Sequence, residues 1–146
     1  MYKKVFTLLL LLLPFQLLIA QKSLLKNFPE GYTPDEIGRR ISYRFVTEKH
    51  ALHAGKWIGY PETFYWNGSL KYAAAAKDKA LIKLLQARFE HLFTTEKALL
   101  PIKNHVDLNM FGSLPLELYW VTKDERYKEV GLPCLLYTSP SPRDCS

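Results

Sequence analysis

The chain has 146 residues, of which 48% are hydrophobic and 14% aromatic, and its formal net charge is +6. This composition is sufficient for one packed domain and excludes an intrinsically disordered chain. The basic residues are scattered along the chain, which argues against a nucleic-acid-binding surface, whereas a mild positive excess suits an anionic sugar.

The first 20 residues predict a cleavable signal peptide. Lys3 and Lys4 precede an apolar run from Val5 to Ile19, and Ala20 supplies the small residue expected at a cleavage site. A membrane anchor is the alternative, but the run is shorter than the roughly 20 residues that a spanning helix needs, and Pro14 interrupts it. We therefore expect a secreted or periplasmic protein without stable membrane association after cleavage.

The first helix is predicted to follow a short linker over residues 21–31. The stretch from Thr33 to Glu36 has a capping threonine, a proline at the first helical position and a glutamate that completes a capping box. Apolar residues then recur on one helical face, at Ile37, Ile41 and Phe45. Residues 48–61 predict a loop, because two glycines and a proline interrupt them.

Two helical hairpins are predicted next. The first pairs a helix over 63–76 with a helix capped by Asp78, and the second pairs a helix over 107–121 with a helix capped by Asp124. The two polar turns lie 46 residues apart (124 minus 78). Apolar helix pairs repeated in this way are typical of αα-hairpins stacked in solenoids and toroids. No segment has the alternation of a strand, so we expect an all-α fold.

Two segments combine aromatic and polar residues at the start of a hairpin. They are YPETFYWNG over residues 60–68 and NHVDLNMFG over residues 104–112. In a toroid of hairpins these helix starts share one end, where unpaired N–H groups favour a carboxylated ligand. We therefore expect the two segments to converge on one pocket.

Residues 29–133 resemble the N-terminal part of glycoside hydrolase family 105, the unsaturated rhamnogalacturonyl hydrolases. They resemble family 88, the unsaturated glucuronyl hydrolases, more distantly. The resemblance rests on YPETFYWNGSLKYA, NHVDLNMFGSLPLELY and TKDERY. It implies that residues 21–133 form less than half of an (α/α)6 barrel, also called a helical toroid, that uses no cofactor and no metal.

The resemblance also implies a reaction. Such enzymes release an unsaturated uronic acid from the non-reducing end of pectin or rhamnogalacturonan-type oligosaccharides. They protonate C4 of the C4=C5 double bond and add water at C5, and the hemiketal then collapses to release the sugar. The reaction needs a carboxyl group that gives and takes a proton. The principal aspartate of the family has no counterpart up to residue 133, so we expect the 146-residue chain itself to be inactive.

The resemblance assigns candidate site residues. Asp107 matches one of two aspartates that face the pocket in this family, which implies a supporting catalytic role, and a plain helix cap is the alternative. The candidates for substrate binding are Trp66 as a stacking wall, His105 as a donor to the uronate or hydroxyl groups, Met110 as pocket lining, and Asn67. A core tryptophan and a surface histidine are the structural alternatives for Trp66 and His105.

The same sequence pattern is also compatible with other functions. A sugar epimerase or a polysaccharide lyase would use the same toroid, and a non-catalytic carbohydrate-binding protein would use the face of Trp66 as its platform. Gly68 and Gly112 lie inside predicted helices, where glycine costs about 1 kcal/mol relative to alanine. They therefore suggest close approach of a helix or a ligand.

The end of the chain has a different character. The string from Cys134 to Asp144 resembles the translation of a sequencing-library adapter, and a Ser/Pro-rich linker is the alternative. We expect residues 134–146 to be non-native, without regular structure and without packing contacts. Cys134 and Cys145 then indicate neither a disulfide nor a metal site nor a thiol nucleophile.

Overall fold

The computed structural model describes residues 27–102 and 105–136. The predicted signal peptide and residues 137–146 lie outside the described residues. Residues 27–34 belong to one compact unit, in which the Tyr32 N–H donates to the Pro29 carbonyl at 3.0 Å and closes a turn. Residues 35–136 belong to a second unit, which carries the candidate site.

Helices account for 70% of the described residues and strands for 4%, so the all-α class is confirmed. Within the described ranges, no helix is long and apolar enough to cross a membrane. The α-helices are α1 (Pro34–Thr47), α2 (Tyr60–Ala75), α3 (Lys79–Glu90), α4 (Val106–Phe111), α5 (Ser113–Thr122) and α6 (Glu125–Leu136). Two single 3-10 turns, His91–Phe93 and Lys97–Leu99, follow α3.

The predicted hairpin repeat is confirmed by the helix bounds. The starts of α2 and α4 are 46 residues apart (106 minus 60), and so are the starts of α3 and α6 (125 minus 79). Each turn between paired helices passes through a left-handed lysine, Lys77 with φ 56° and Lys123 with φ 64°. The two hairpins therefore share both their length and their turn conformation.

The predicted helix caps are also confirmed. The Asp78 side chain accepts a hydrogen bond from the Leu81 N–H at 3.0 Å, and the Asp124 side chain accepts one from the Arg126 N–H at 3.1 Å. Each carboxylate thus satisfies an N–H group that lacks a partner in the first helical turn. The fourth predicted helix, by contrast, is divided at Gly112 into α4 and α5.

The segment predicted as a loop contains a small antiparallel β-hairpin. Strand β1 (Leu52–His53) pairs with β2 (Trp57–Ile58), with Leu52 opposite Ile58 and His53 opposite Trp57. Strands of two residues are too short to show the alternation from which a strand is predicted. The expectation of an irregular loop was therefore wrong at these four residues.

The core lies between the helix pairs and is largely aromatic. Phe89 of α3 is at its centre, with ring centroids 5.8 Å from both Trp66 and Phe111 and 5.5 Å from Tyr127. Aromatic pairs at such separations stabilise a core beyond the area that they bury. Other fully buried side chains around it come from α1, α2, α3 and α5: Phe45, Leu70, Ala73, Leu81, Leu85, Leu114 and Leu118.

The break between α4 and α5 packs closely on α6. A methyl group at Gly112 would lie 2.7 Å from the Cys134 Cβ and 2.9 Å from the Gly131 carbonyl oxygen, so only glycine fits there. The close approach expected at Gly112 is therefore present. At Gly68 a methyl group would meet nothing within 4 Å, and the described chain makes no such approach there.

The end of α6 departs from expectation. The helix continues through Pro133 to Leu136, and Cys134 is half-buried, with its Sγ donating to the Val130 carbonyl at 3.2 Å. Proline in a final turn removes one helical hydrogen bond, which the packing of α6 on Gly112 offsets here. The expectation of an irregular tail was wrong for residues 134–136, and that of an unpacked tail was wrong for Cys134, while the non-native origin of this segment stays a prediction.

Candidate functional site

The β-hairpin and the starts of α2 and α4 meet at one buried carboxylate. Asp107, the second residue of α4, is fully buried. Its Oδ1 accepts the backbone N–H of Tyr60 at 2.9 Å, and its Oδ2 accepts the indole N–H of Trp57 at 3.0 Å. The two aromatic and polar segments therefore converge, as their positions in the sequence predicted.

Two histidines complete this site, which we call the Asp107 cluster: His53, Trp57, His105 and Asp107. The Nδ1 atoms of His53 and His105 lie 3.3 Å and 3.2 Å from the Asp107 Oδ2. The His53 and Trp57 rings are stacked with centroids 5.0 Å apart, and the His105 ring meets both edge-on. The three rings cover the carboxylate, yet the His53 and His105 side chains remain 44% and 30% exposed.

Asp107 is not the cap of α4. The N-cap is His105, whose Nδ1 accepts the Asp107 N–H at 3.2 Å. The Asp107 carboxylate instead bonds to β2 and to the start of α2. The alternative of a plain helix cap was therefore wrong. A buried carboxylate needs such donors, because removing it from water without them is strongly unfavourable.

Trp66 lies apart from this cluster. It is fully buried between Phe45 and Phe89, whose ring centroids lie 5.6 Å and 5.8 Å from that of Trp66. A covered indole has no face on which a sugar ring can stack. The structure therefore supports the core-tryptophan alternative, and the stacking role predicted for Trp66 has no geometric basis.

Asn67 and Met110 belong to a bridge between helices. The Asn67 side-chain nitrogen donates to the Ser113 hydroxyl at 2.7 Å, and that hydroxyl donates to the Met110 carbonyl at 2.7 Å. Both contacts join α2 to the α4–α5 break. Among the predicted substrate-binding residues, only His105 lies beside Asp107.

Sequence reasoning missed His53 and Trp57. Both lie in the segment predicted as a loop, on either side of the Gly55 turn. Their signal was weak, because loops commonly carry functional side chains but rarely in a recognisable pattern. The sequence evidence for a site in this segment was a tryptophan and a histidine close to a glycine turn.

A second polar cluster lies beside α3 and consists of the buried Glu62, the largely covered His50 and Arg88, and the partly exposed Glu96. The Glu62 Oε1 lies 2.6 Å from the His50 Nδ1 and 2.9 Å from the Arg88 Nη2, and its Oε2 accepts the Ala51 N–H at 2.8 Å. Burial raises the pKa of Glu62, but the bonds from His50, Ala51 and Arg88 outweigh burial and leave that pKa below its ordinary value. Glu62 is therefore an ionised group held inside the fold.

The Arg88 side chain is held by contacts within the fold. It donates to the Glu48 carbonyl at 2.7 Å beyond the end of α1, and its guanidinium lies over the rings of Phe45 and Trp66. An adjoining cleft of about 620 Å³ is lined by His50, Arg88, His91 and Glu96 together with apolar side chains. The charged groups of His50, Glu62 and Arg88 bond to one another here, while the Arg88 Nε has no hydrogen-bond partner among the described residues.

Comparisons with protein-family models, with curated proteins and with solved structures found no match.

Proposed function

We propose that this chain is the N-terminal part of a secreted glycoside hydrolase with an (α/α)6 barrel, which releases unsaturated uronic acids from pectin-type oligosaccharides without a cofactor. The main observation in support of the proposal is that the starts of α2 and α4 meet at Asp107. These starts belong to the two segments on which the resemblance rests. The repeated hairpin, with its matching helix bounds, is consistent with a toroid.

Asp107 acts in this proposal as a positioning residue. Because its carboxylate is fully covered by His53, Trp57 and His105, a sugar approaching from solvent meets those rings first. The carboxylate orients the rings, as a fixed acceptor does for the donors around it. The exposed edges of His53 and His105 then donate to the uronate carboxylate or to sugar hydroxyls.

Trp57 takes the stacking role in place of Trp66. It is half-buried, its indole N–H is fixed on Asp107, and its ring is stacked on His53. An aromatic ring that is held in place and partly exposed offers a sugar an apolar face with little loss of side-chain entropy. Trp57 and His53 therefore form the aromatic surface of the proposed subsite.

The proposed reaction protonates C4 of the unsaturated uronate and adds water at C5, and the hemiketal then breaks to release the aglycone sugar. The Asp107 cluster binds and orients the uronate. The principal proton donor is expected in sequence that follows residue 133 in the intact protein. A binding subsite without that donor holds substrate and does not turn it over.

Sugar binding tests the subsite directly. An unsaturated galacturonyl-rhamnose disaccharide is titrated into the 146-residue chain by calorimetry, and Trp57→Ala should weaken its binding at least about 10-fold, which corresponds to 1.4 kcal/mol. The matched control is Trp120→Ala, since Trp120 is 69% exposed on α5 and lies outside the cluster. Equal affinity in wild type and Trp57→Ala, or equal loss in both variants, would contradict the proposed subsite.

Turnover tests the reaction. In a protein whose sequence is restored past residue 133, Asp107→Asn should lower turnover by about 10²-fold, the scale of a misplaced binding group, in assays restricted to the folded fraction. The reaction is followed as loss of the double-bond absorbance. The 146-residue chain should show none, and measurable turnover by it would mean that the catalytic groups have been misassigned.

A non-catalytic carbohydrate-binding protein is the second candidate, because the partly exposed Trp57–His53 pair alone would suffice for binding. In that case saturated and unsaturated disaccharides bind equally and the restored protein is inactive on both. The same absorbance assay separates the other toroid enzymes. A polysaccharide lyase creates the double bond and raises the absorbance, whereas an epimerase leaves it unchanged.

A further inference from the structure

Three metal-ligating atoms converge in the Asp107 cluster. His53, His105 and Asp107 each offer one ligand atom, and these three atoms lie within 4.8 Å of one another. We propose that these three side chains bind a divalent transition-metal ion. This inference goes beyond the proposed hydrolase, for which the resemblance implies no metal, and it does not depend on that function.

The spacing of the three atoms fits a tetrahedral ion. Zinc–nitrogen and zinc–oxygen bonds of about 2.0–2.1 Å place neighbouring ligand atoms roughly 3.3 Å apart. The His53 Nδ1 and the His105 Nδ1 lie 3.3 Å and 3.2 Å from the Asp107 Oδ2. Two of the three ligand pairs therefore already have the required separation. The His53 side chain is 44% exposed, and a rotation of its ring would set the third separation.

The contact between His105 and Asp107 also suits a cation. The His105 Nδ1 lies 3.2 Å from the Asp107 N–H, which donates to it, and 3.2 Å from the Asp107 Oδ2, a second acceptor. Two lone pairs at this distance repel each other, and either a proton on the His105 Nδ1 or a metal ion between the two atoms relieves the repulsion. A metal ion would replace the long 3.2 Å hydrogen bond of the cap.

The surroundings of the carboxylate suit metal binding. The Trp57 indole and the Tyr60 N–H fix its orientation, and such outer hydrogen bonds are common around metal-ligating carboxylates. Both histidines are partly exposed, so rotation of their rings would open a path from solvent and a fourth position for water. Two imidazoles and one carboxylate select zinc and its transition-metal neighbours rather than calcium or magnesium, which prefer oxygen ligands.

Zinc titration of the metal-stripped 146-residue chain tests the site. Every protein in the series carries Cys134→Ser and Cys145→Ser and no histidine tag, because thiols and tags bind zinc themselves. Calorimetry should report one zinc ion per chain. His53→Gln should weaken that binding at least about 10-fold, since loss of even an outer-shell partner weakens metal affinity 10–100-fold. Cobalt should give the visible absorption of a tetrahedral complex.

His91→Gln is the matched control, because His91 is an exposed histidine outside the Asp107 cluster. Its zinc affinity should equal that of the starting protein. Absence of stoichiometric binding, an unchanged affinity in His53→Gln, or an equal loss in His91→Gln would each overturn the proposal. His53 decides the outcome because its exposed position leaves the fold intact, whereas Asp107→Asn perturbs packing. The zinc titration contains no sugar, so its result does not bear on the hydrolase proposal. Failure of the hydrolase proposal likewise leaves the proposed metal site untouched.

Discussion

The Asn67 side chain donates to the Ser113 hydroxyl at 2.7 Å, and these two residues occupy the same position in successive hairpins, 46 residues apart. Equivalent positions therefore touch each other across the boundary between α2 and α5. The contact is consistent with a repeat array, in which each unit packs on its neighbour through a recurring interface. The sequence repeat thus has one packing contact between equivalent positions.

Alanine at the two helical glycines should have opposite effects. At Gly112 the added methyl group would lie 2.7 Å from the Cys134 Cβ, and we expect Gly112→Ala to lower the free energy of unfolding by about 1–3 kcal/mol. At Gly68, inside α2, the methyl group meets open space, and Gly68→Ala should raise it by about 0.5–1 kcal/mol. Urea denaturation of both variants measures the difference. A stabilised Gly112→Ala would show that α6 does not pack on the α4–α5 break.

The fold was predictable where local signals repeat. The hairpins were predicted from the caps at Asp78 and Asp124 and from the apolar helix faces, because capping and periodicity act over a few residues. The break at Gly112 was not predictable, since it depends on α6 lying against it. The short β-hairpin was missed because its four residues are ordered by the Asp107 carboxylate, which lies about 50 residues further along the chain.

Asp107→Asn should destabilise the fold rather than leave it unchanged. Asparagine has one acceptor oxygen, whereas Asp107 accepts the Trp57 and Tyr60 N–H groups on separate oxygens. One buried donor would face an amide NH2, and we expect a loss of about 2 kcal/mol in urea denaturation. Asp35→Asn is the control, because the exposed Asp35 accepts one bond from Tyr72 that asparagine can keep. Its change should stay within about 0.5 kcal/mol. If Asp107→Asn changes the free energy of unfolding no more than Asp35→Asn does, the two hydrogen bonds to Asp107 are unimportant for stability.

Glu62 should make stability depend on acid pH. Its pKa is lowered in the folded protein from the ordinary 4.5, so its stabilisation is complete well above pH 4.5 and is lost as the pH falls through the folded pKa. Glu62→Gln should lower the free energy of unfolding by about 3 kcal/mol at pH 7, because it leaves Arg88 buried without a counter-charge. Its stability profile below about pH 4.5 should be flatter than that of wild type. Glu129→Gln, at an exposed position on α6, should keep the wild-type slope. An unchanged slope in Glu62→Gln would refute the assignment.

Replacing a left-handed turn residue by glycine should increase the stability of the protein. Lys77 has φ 56°, a conformation that costs a residue with a Cβ about 1 kcal/mol relative to glycine. Lys77→Gly should therefore raise the free energy of unfolding by up to about 1 kcal/mol. Lys79→Gly, two residues later at the start of α3, should lower it by a similar amount, because glycine disfavours helix. Thermal melts of both variants check the pair, and a destabilised Lys77→Gly would contradict the turn geometry.

The site was predictable in its centre and not in its surroundings. Asp107 was assigned through its match to a family motif, and His105 stands two residues before it in the same segment. Trp66 was chosen over Trp57 because it lies in the more conspicuous motif, but its position on α2 directs it into the core against Phe89. Which aromatic face reaches solvent is decided by how the helices pack, and the sequence of one helix does not contain that information.

The buried cluster of His50, Glu62 and Arg88 limits how this protein can diverge. Each member neutralises or bonds another, so replacing one alone leaves a buried charge or donor without its partner. Single steps away from this arrangement therefore pass through a destabilised intermediate. Among descendants of a common ancestor, the three positions should therefore be kept together or replaced together.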